Sequence, residues 1–298
     1  MTTSISILIL TFNDICAPLV EQLRKQLMAV DSLAWEIIVA DDGSTDQTVV
    51  ERNRAINQWE GCRMIERKQN CGRAAIRNFL TKQAQYDRLL FIDGDMTIVS
   101  DKFISSYLAQ TAPVVYGGYK IMISNDTLRC RYEMACAPEH DVERRREQPY
   151  HDFHTSNFLI NKDVVTNHPF DERFRNYGYE DVFFGKQLRE AGVQIEHVDN
   201  PTGFCFFETD EDFVRKTEEA IVTLYTFSEE LEEYSRLLTA AKKTERMHML
   251  RISTWAYNLV GRRMRKCLCK GNASLLTFRI YKLLYLNQYT FRRSPSHN

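Results

Sequence analysis

Polar residues follow three apolar, β-branched runs in the first hundred residues of the chain. The run 4–11 ends in the cluster Thr11-Phe12-Asn13. The run 35–40 is followed by Asp41-Asp42, and the run 88–92 by Asp93-Gly94-Asp95. Runs of this kind are typical of strands that are buried on both faces of a parallel sheet. Because ligands of open parallel sheets bind outside the carboxyl ends of the strands, the three clusters predict one polar site at that edge.

The Asp93-Gly94-Asp95 cluster has the residue types and spacing that suit a hard divalent cation. Two carboxylates stand two residues apart, and the glycine between them allows a tight backbone path. Such a cation also takes phosphate oxygens and waters as ligands, and it would neutralise the charge that builds on a leaving diphosphate. The alternative interpretation is an acidic turn, because two aspartates at this spacing occur widely by chance.

A basic helix start favours a ligand that bears phosphate. Residues 70–78 (NCGRAAIRN) place Arg73 and Arg77 at and near the N-terminus of a helix predicted over 72–83, where a diphosphate binds well. Two solvated arginines are the alternative. The sequence contains neither a GxxxxGK[ST] loop nor a GxGxxG loop, which argues against a Walker-type fold and against dinucleotide binding.

The elements that must position these residues alternate between strand and helix. The order β-α-β-α-β-α-β within about 95 residues predicts an α/β protein with a doubly wound, mainly parallel sheet. After residue 112 we expect a strand pair at 114–118 and 119–124, a polar helix at 128–147, and a strand at 153–160. A helix over 178–191 and a strand over 193–198 complete this part, and from residue 211 the sequence is helical.

Charge is distributed unevenly along the chain. The formal net charge is −1, but residues 251–298 contain ten Lys and Arg and no Asp or Glu, so residues 1–250 carry −11. A basic amphipathic segment at 274–291 suits an anionic membrane surface. The alternative is a helix that packs on the body of the protein and shows its charges to water. We expect no nucleic-acid partner, because no base-stacking module is visible.

The absence of a recognisable targeting signal and the spacing of the cysteines favour an intracellular protein. No stretch reaches the ~18 apolar residues that span a bilayer, and the N-terminus lacks the pattern of a cleaved signal. The eight cysteines show neither zinc-site nor disulfide-framework spacing. We therefore expect reduced thiols and a cytoplasmic location, with the inner face of the membrane as a peripheral site if residues 251–298 bind lipid.

Five motifs occur in the order found in one enzyme family. They are ISILILTFN (5–13), VADDGSTD (39–46), NCGRAAIRN (70–78), FIDGD (91–95) and GYEDVFFG (178–185). Over about residues 1–205 the chain resembles family 2 glycosyltransferases with a GT-A fold. The resemblance implies an inverting, single-displacement transfer of a sugar from a nucleotide sugar, a UDP-sugar above all, with Mn²⁺ or Mg²⁺ bridging the diphosphate.

The resemblance also implies roles for residues of the first four motifs. In chain order, Thr11 and Asn13 line the nucleotide pocket, Asp42 binds the base, Arg73 or Arg77 lies near the nucleotide, Asp93 and its neighbour Gly94 face the ribose or the metal, and Asp95 ligates the metal directly. On this basis we predict a catalytic domain over 1–210, divided into a nucleotide-sugar half (1–112) and an acceptor half (113–210). A basic helical appendage covers 211–298.

The Glu180-Asp181 pair opens the helix predicted over 178–191, where the positive N-terminal dipole favours ionised carboxylates. An attacking hydroxyl needs a base within hydrogen-bond reach. The resemblance implies that Asp181 is that base and that Glu180 contacts the acceptor. The alternative is that both carboxylates only cap the helix.

One departure from the family pattern concerns the metal. Family members often carry a His shortly after the Asp-Asn-Pro that follows the next strand, and here Phe204 stands at that position. His197 lies just upstream and is a second candidate ligand, although lone histidines are more often structural. Water or donor oxygens would otherwise complete the coordination shell.

The sequence favours a non-processive enzyme that builds a surface polysaccharide or a glycolipid, since the QxxRW signature and membrane spans of processive relatives are missing. Its acceptor would be the hydroxyl of a glycan or glycolipid. Two alternatives remain: a sugar nucleotidyltransferase, which should carry a glycine-rich loop where Thr11-Phe12-Asn13 stands, and a binding module for sugar nucleotides or glycans without transfer activity.

Overall fold

The computed structural model describes residues 3–151, 153–271 and 273–293. Its chain divides into two compact units. The first consists of Met1–Ile123, Ala137–Arg175 and Glu180–Phe206, and the second of Ser124–Cys136, Asn176–Tyr179 and Phe207–Asn298. The domain boundary predicted between residues 210 and 211 therefore lies close to the start of the last segment, while two short upstream segments also belong to the second unit.

The strands all belong to the first unit. In chain order they are β1 (Ser4–Thr11), β2 (Ala34–Asp41), β3 (Cys62–Glu66), β4 (Arg88–Asp93), β5 (Met96–Ile98), β6 (Val114–Tyr116), β7 (Tyr119–Ile121), β8 (Asn157–Asn161), β9 (Ile195–His197) and β10 (Thr202–Phe204). Seven of them form one sheet in the order β3-β2-β1-β4-β8-β6-β9, and the order β5-β10-β7 forms a small second sheet. Strands β1 to β4 pair in parallel, β8 is antiparallel to β4 and β6, and β6 and β9 are parallel. The doubly wound, mainly parallel sheet predicted from the sequence is confirmed.

The α-helices connect these strands or follow them. In chain order they are α1 (Ala17–Met28), α2 (Gln47–Arg54), α3 (Arg73–Gln83), α4 (Phe103–Leu108), α5 (Leu128–Cys136), α6 (Val142–Glu147), α7 (Lys162–Asn167), α8 (Glu180–Glu190), α9 (Asp210–Thr226), α10 (Arg236–Arg246), α11 (Leu250–Leu268) and α12 (Leu275–Arg293). Short 3₁₀ turns lie at Ala55–Gln58, Ala137–His140 and Glu232–Tyr234.

The position of strand β1 explains why the middle of its sequence, from Ile7 to Leu10, is entirely apolar. Ile5, Ile7 and Ile9 face one layer of the core, while Leu8 and Leu10 face the other. All five side chains are buried. Successive side chains of a strand point to opposite faces, so burial on both faces requires an apolar residue at nearly every position.

Two sequence predictions in the region 113–160 are wrong. The predicted helix over 128–147 is interrupted at Ala137–His140, where Pro138 cannot donate a helical hydrogen bond, and α6 restarts behind Asp141, whose side chain accepts from the Glu143 amide. The expected strand pair does not form either. Strands β6 and β7 belong to different sheets, because the chain turns between them at Gly117 and Gly118, the latter with φ +84°.

The second unit is helical and has its own core. Its buried side chains include Leu128, Phe213, Val214, Leu268, Phe278 and Tyr281. Helix α12 packs against α5, α9, α10 and α11. Within the described ranges 3–151, 153–271 and 273–293, none of the helices is both long enough and apolar enough to cross a bilayer.

Candidate active site

The carboxyl ends of β1, β2 and β4 lie side by side, as the three polar clusters predicted. The parallel register pairs Thr11 with Asp41 and Leu10 with Asp93. The Gly94 amide donates to the Leu10 carbonyl at 2.9 Å. A β-carbon on Gly94 would lie 2.9 Å from that same oxygen, so only glycine allows β4 to end this close to β1.

Asn13 joins the loops that follow β1 and β2. Its backbone takes φ +58°, in the left-handed region that Asn tolerates better than most residues. Its side-chain oxygen accepts from the amides of Thr45 and Asp46, at 2.8 and 3.0 Å. The Thr11 hydroxyl donates to the Asp14 carbonyl within the same loop. Thr11 and Asn13 thus hold the loops that follow β1 and β2 in place through contacts with backbone groups.

Asp42 anchors the loop that leads into α3. Its carboxylate accepts from the backbone amides of Cys71 and Gly72, the latter at 2.9 Å, and from the Arg67 guanidinium at 2.9 Å. Burial raises the pKa of Asp42, and these hydrogen bonds, together with the positive charge of Arg67, oppose that rise. Arg67 was not among the predicted site residues, although its position one residue past β3 could have drawn attention to it.

Arg77 connects two parts of the site that are distant in sequence. The side chain is 1% exposed, and its NH2 group donates to Asp93 Oδ1 at 2.9 Å. Its NH1 atom lies 3.5 Å from Glu180 Oε1. The guanidinium also lies over the Phe170 ring, 5.4 Å from the centroid. The buried positive charge of Arg77 therefore lies between the end of β4 and the start of α8.

Asp95 presents its carboxylate to solvent at the start of the small sheet. The residue is exposed, but nearby protein atoms displace part of the water around its carboxylate. This desolvation, followed by the negative charge of Asp93, raises the pKa of Asp95 to about 6. Arg73 opposes the rise, and its guanidinium lies 3.9 Å from Glu180. The end of β4 thus has an excess of negative charge that a cation would relieve.

The two carboxyl groups at the start of α8 have different environments. Burial, followed by the charge of Asp181, raises the pKa of Glu180. Burial also acts on Asp181, but the hydrogen bond and charge of His154 and the Val182 amide more than offset it, so the pKa of Asp181 is lowered. The distance from His154 Nδ1 to Asp181 Oδ2 is 3.2 Å. Of the two neighbours, Asp181 is therefore the one that stays ionised.

His197 is excluded as the third metal ligand by its own hydrogen bonds. Its Nε2 atom lies 2.9 Å from the Pro149 carbonyl and its Nδ1 atom 3.2 Å from Arg145. An arginine only donates, so Nδ1 must accept and Nε2 must donate, which engages both ring nitrogens. Phe204, which stands where a His was expected, pairs with Met96 across β5 and β10, next to Asp95. The Phe204 ring packs against the core and lies 6.4 Å from the ring of Tyr119, centroid to centroid.

The donor set fits a divalent cation that is shared with a ligand. Across residues 3–151, 153–271 and 273–293, no group of three or more His, Cys, Asp or Glu side chains is arranged to hold a metal. Asp95 and the oxygen of Asp93 that does not face Arg77 offer hard oxygen donors of the kind Mg²⁺ and Mn²⁺ accept. Mg²⁺ sites of this type commonly use one or two carboxylates and complete their shell with phosphate and water.

Comparison with known proteins agrees with this geometry. Residues 6–168 match the family model described as glycosyl transferase family 2. An uncharacterized glycosyltransferase of Haemophilus influenzae is 37% identical over 67 residues, which are 22% of this chain and 27% of that protein. The match thus spans about a quarter of the length of this relative.

Two solved structures share the fold at low sequence identity. S. aureus TarS 1-349 has 15% identity and a TM-score of 0.53, with 97% of this chain and 91% of that chain covered. The mannosyltransferase PcManGT from Pyrobaculum calidifontis, solved with GDP-Man and Mn²⁺, has 14% identity and a TM-score of 0.56, with 97% and 88% covered. With its family match over residues 6–168 and its mainly parallel sheet, the chain belongs to glycosyl transferase family 2 and has a GT-A fold.

Proposed function

We propose that this chain is an inverting glycosyltransferase that moves a sugar from a UDP-sugar to a hydroxyl of a glycan or glycolipid acceptor in surface polysaccharide synthesis. The observation that supports it best is the position of Arg77, which contacts both Asp93 and Glu180. One buried guanidinium thereby fixes the end of β4, where a diphosphate would be held, beside the start of α8, where the candidate base stands.

The donor would bind along the carboxyl ends of β1, β2 and β4. Thr11, Asn13 and Asp42 shape the nucleotide pocket, and Arg73, exposed at the N-terminus of α3, meets the diphosphate. Asp95 and Asp93 would hold the divalent cation, either Mn²⁺ or Mg²⁺. When bound, that cation supplies charge neutralisation on the leaving diphosphate.

The acceptor hydroxyl would lose its proton to Asp181. A base must be ionised to take the proton, and the lowered pKa keeps Asp181 ionised at neutral pH. His154 holds the carboxylate in place through Nδ1, and Glu180, with a raised pKa, contacts the acceptor. The hydroxyl oxygen attacks the anomeric carbon, the bond to the diphosphate breaks, and the configuration inverts in a single displacement.

The donor class has support from neighbouring structures. S. aureus TarS 1-349 has been solved with UDP-GlcNAc, at a TM-score of 0.50 and 15% identity to this chain, and PcManGT with GDP-Man and Mn²⁺. The basic segment 251–298 suits a peripheral contact with the inner face of the membrane, where glycolipid acceptors are found. We place the enzyme in the cytoplasm on this basis.

The proposal is tested by incubating the full chain with UDP-, GDP- and other nucleotide sugars and measuring nucleotide release. We expect release from a UDP-sugar that requires Mn²⁺ or Mg²⁺. Binding without release would identify a sugar-nucleotide-binding module instead, and formation of nucleotide sugars from sugar phosphates would identify a nucleotidyltransferase.

A further inference from the structure

The outward face of α11 is unusually apolar for a surface helix. Its exposed side chains include Ile252, Trp255 and Leu259, which are 59%, 65% and 67% exposed. At 100° per residue, the spacing i, i+3 and i+7 places all three on one stripe about 60° wide. Met247 and Met249, just before the helix, are exposed as well. Exposed apolar residues that form one continuous patch mark interaction surfaces.

Cations lie on both sides of this stripe. Arg251 and Arg262 border it on one side and Arg263 on the other, while Lys266 continues it toward the C-terminus, and all four are exposed. Arg265 differs, because its guanidinium turns inward to Glu218 at 2.9 Å. The helix itself contains no acidic residue. The exposed face of α11 therefore combines an apolar centre with basic edges.

The opposite face of α11 packs against the interior of the second unit. Ser253, Thr254, Gly261 and Leu268 are buried, and α11 packs along α12. Tyr257 contacts the ring of Tyr281, 6.1 Å between centroids. This packing fixes the rotation of the helix, so the stripe is held outward as a formed surface.

Helix α12 has a buried side and an exposed side. Within the segment 274–291, Phe278, Tyr281 and Leu286 are buried, while Leu276 and Ile280 are 66% and 45% exposed. The helix packs against other helices of the second unit. It exposes fewer large apolar side chains than the outward face of α11 does.

We propose that the outward face of α11 docks this enzyme on an anionic membrane, with the Ile252-Trp255-Leu259 stripe in the interfacial layer and the flanking cations on lipid phosphates. Charge complementarity selects this occupant, since four exposed cations border the stripe and α11 contains no acidic residue. Tryptophan suits the headgroup region because its ring is amphipathic. The inference rests on the proposed function only in that a membrane-bound acceptor would make docking useful.

The test is co-sedimentation of the full chain with phosphatidylcholine vesicles, with and without 30% phosphatidylglycerol, at low and high salt. We expect binding to the anionic vesicles that weakens with salt. Trp255→Ser/Leu259→Ser should lower the partition coefficient by at least tenfold, because two large apolar groups no longer leave water. Arg262→Glu/Arg263→Glu removes two positive charges and adds two negative ones, so it should lower the partition coefficient by at least ~30-fold.

Matched controls separate this surface from general effects. Met28→Ser removes a 59% exposed apolar side chain from α1, and Lys25→Glu/Lys82→Glu makes the same change in net charge on two helices of the first unit. We expect both controls to bind like the parent chain. Circular dichroism must show that every variant is folded.

Three results would overturn the proposal. They are equal binding to neutral and anionic vesicles, equal loss in the control variants, and a concentration-dependent dimer in ultracentrifugation that Trp255→Ser/Leu259→Ser abolishes. The last would make a second copy the occupant of the stripe. Nucleotide release in solution is measured on the same samples. Its absence would refute the proposed enzyme without bearing on lipid binding.

Discussion

The buried His197 predicts a specific loss of stability between pH 7 and pH 5. Burial, together with the charges of Arg145 and Arg146, lowers the pKa of His197 to about 4 from the usual 6.5, although the hydrogen bond to Pro149 opposes this. As the pH falls, His197 is protonated near pH 6.5 in the unfolded chain but stays neutral in the folded chain until about pH 4. Stability is therefore complete above about pH 6.5 and is lost as the pH falls toward 4.

The size of the loss follows from the two pKa values. At pH 5, protonation favours the unfolded state by about 2 kcal/mol relative to pH 7, and by about 3 kcal/mol once the pH is below both values. The side chain is 1% exposed, so solvent does little to screen this cost. Total stabilities of folded domains are only about 5–15 kcal/mol, so the effect is readily measured.

The variant that tests this is His197→Gln. The glutamine side chain can still donate to the Pro149 carbonyl and accept from Arg145, but it has no group that titrates. Urea unfolding of both proteins at pH 7 and pH 5 gives four free energies. We expect the parent chain to lose about 2 kcal/mol more than the variant over this interval. His140, whose pKa is lowered to about 3, titrates in both proteins and cancels from the difference. Equal losses in the two proteins would refute the buried neutral state of His197.

Three further substitutions test the site itself. Asp181→Asn keeps the shape and removes the proton acceptor, so transfer should fall by ~10²–10⁴-fold; calorimetry should show unchanged donor binding, and a collapse of binding would move Asp181 to the donor site. Arg77→Met should lower the free energy of unfolding by about 3–5 kcal/mol because Asp93 and Glu180 lose their buried partner. The control is Arg73→Met, which changes a half-exposed arginine and should lower it by under about 1 kcal/mol. Equal losses in the two variants would contradict the bridging role of Arg77. Gly94→Ala should abolish transfer in a folded protein, since its β-carbon would lie 2.9 Å from the Leu10 carbonyl; full activity would show that the turn can move.

Strand periodicity and strand-end chemistry were sufficient to predict the large sheet and the convergence of its polar ends. The four residues from Ile7 to Leu10 are all apolar because both faces of β1 are covered, which is a local property that the sequence displays. The separation of β6 from β7 was not visible. It depends on close packing around Gly117, where a β-carbon would lie 2.3 Å from the Asn200 carbonyl, some eighty residues away in the chain.

The same contrast appears within the site. Asp93, Asp95 and Asp181 stood out because their spacing and position on elements have a chemical meaning. The role of Arg77 as a buried bridge could not be predicted, since it depends on Asp93 and Glu180, 87 positions apart in the sequence, both lying within reach of one guanidinium. The pattern at 274–291 was the more conspicuous in sequence, but α12 exposes Leu276 and Ile280, whereas α11 exposes Ile252, Trp255 and Leu259.

Release of nucleotide from a panel of nucleotide sugars, measured with Mn²⁺, with Mg²⁺ and with EDTA, tests whether the chain is a metal-dependent glycosyltransferase. Asp95→Ala is the matched variant, because the exposed carboxylate can be removed without disturbing the core. We expect metal-dependent release from a UDP-sugar that EDTA and Asp95→Ala both abolish while the fold remains intact. Full release in EDTA, or full release by Asp95→Ala, would contradict it.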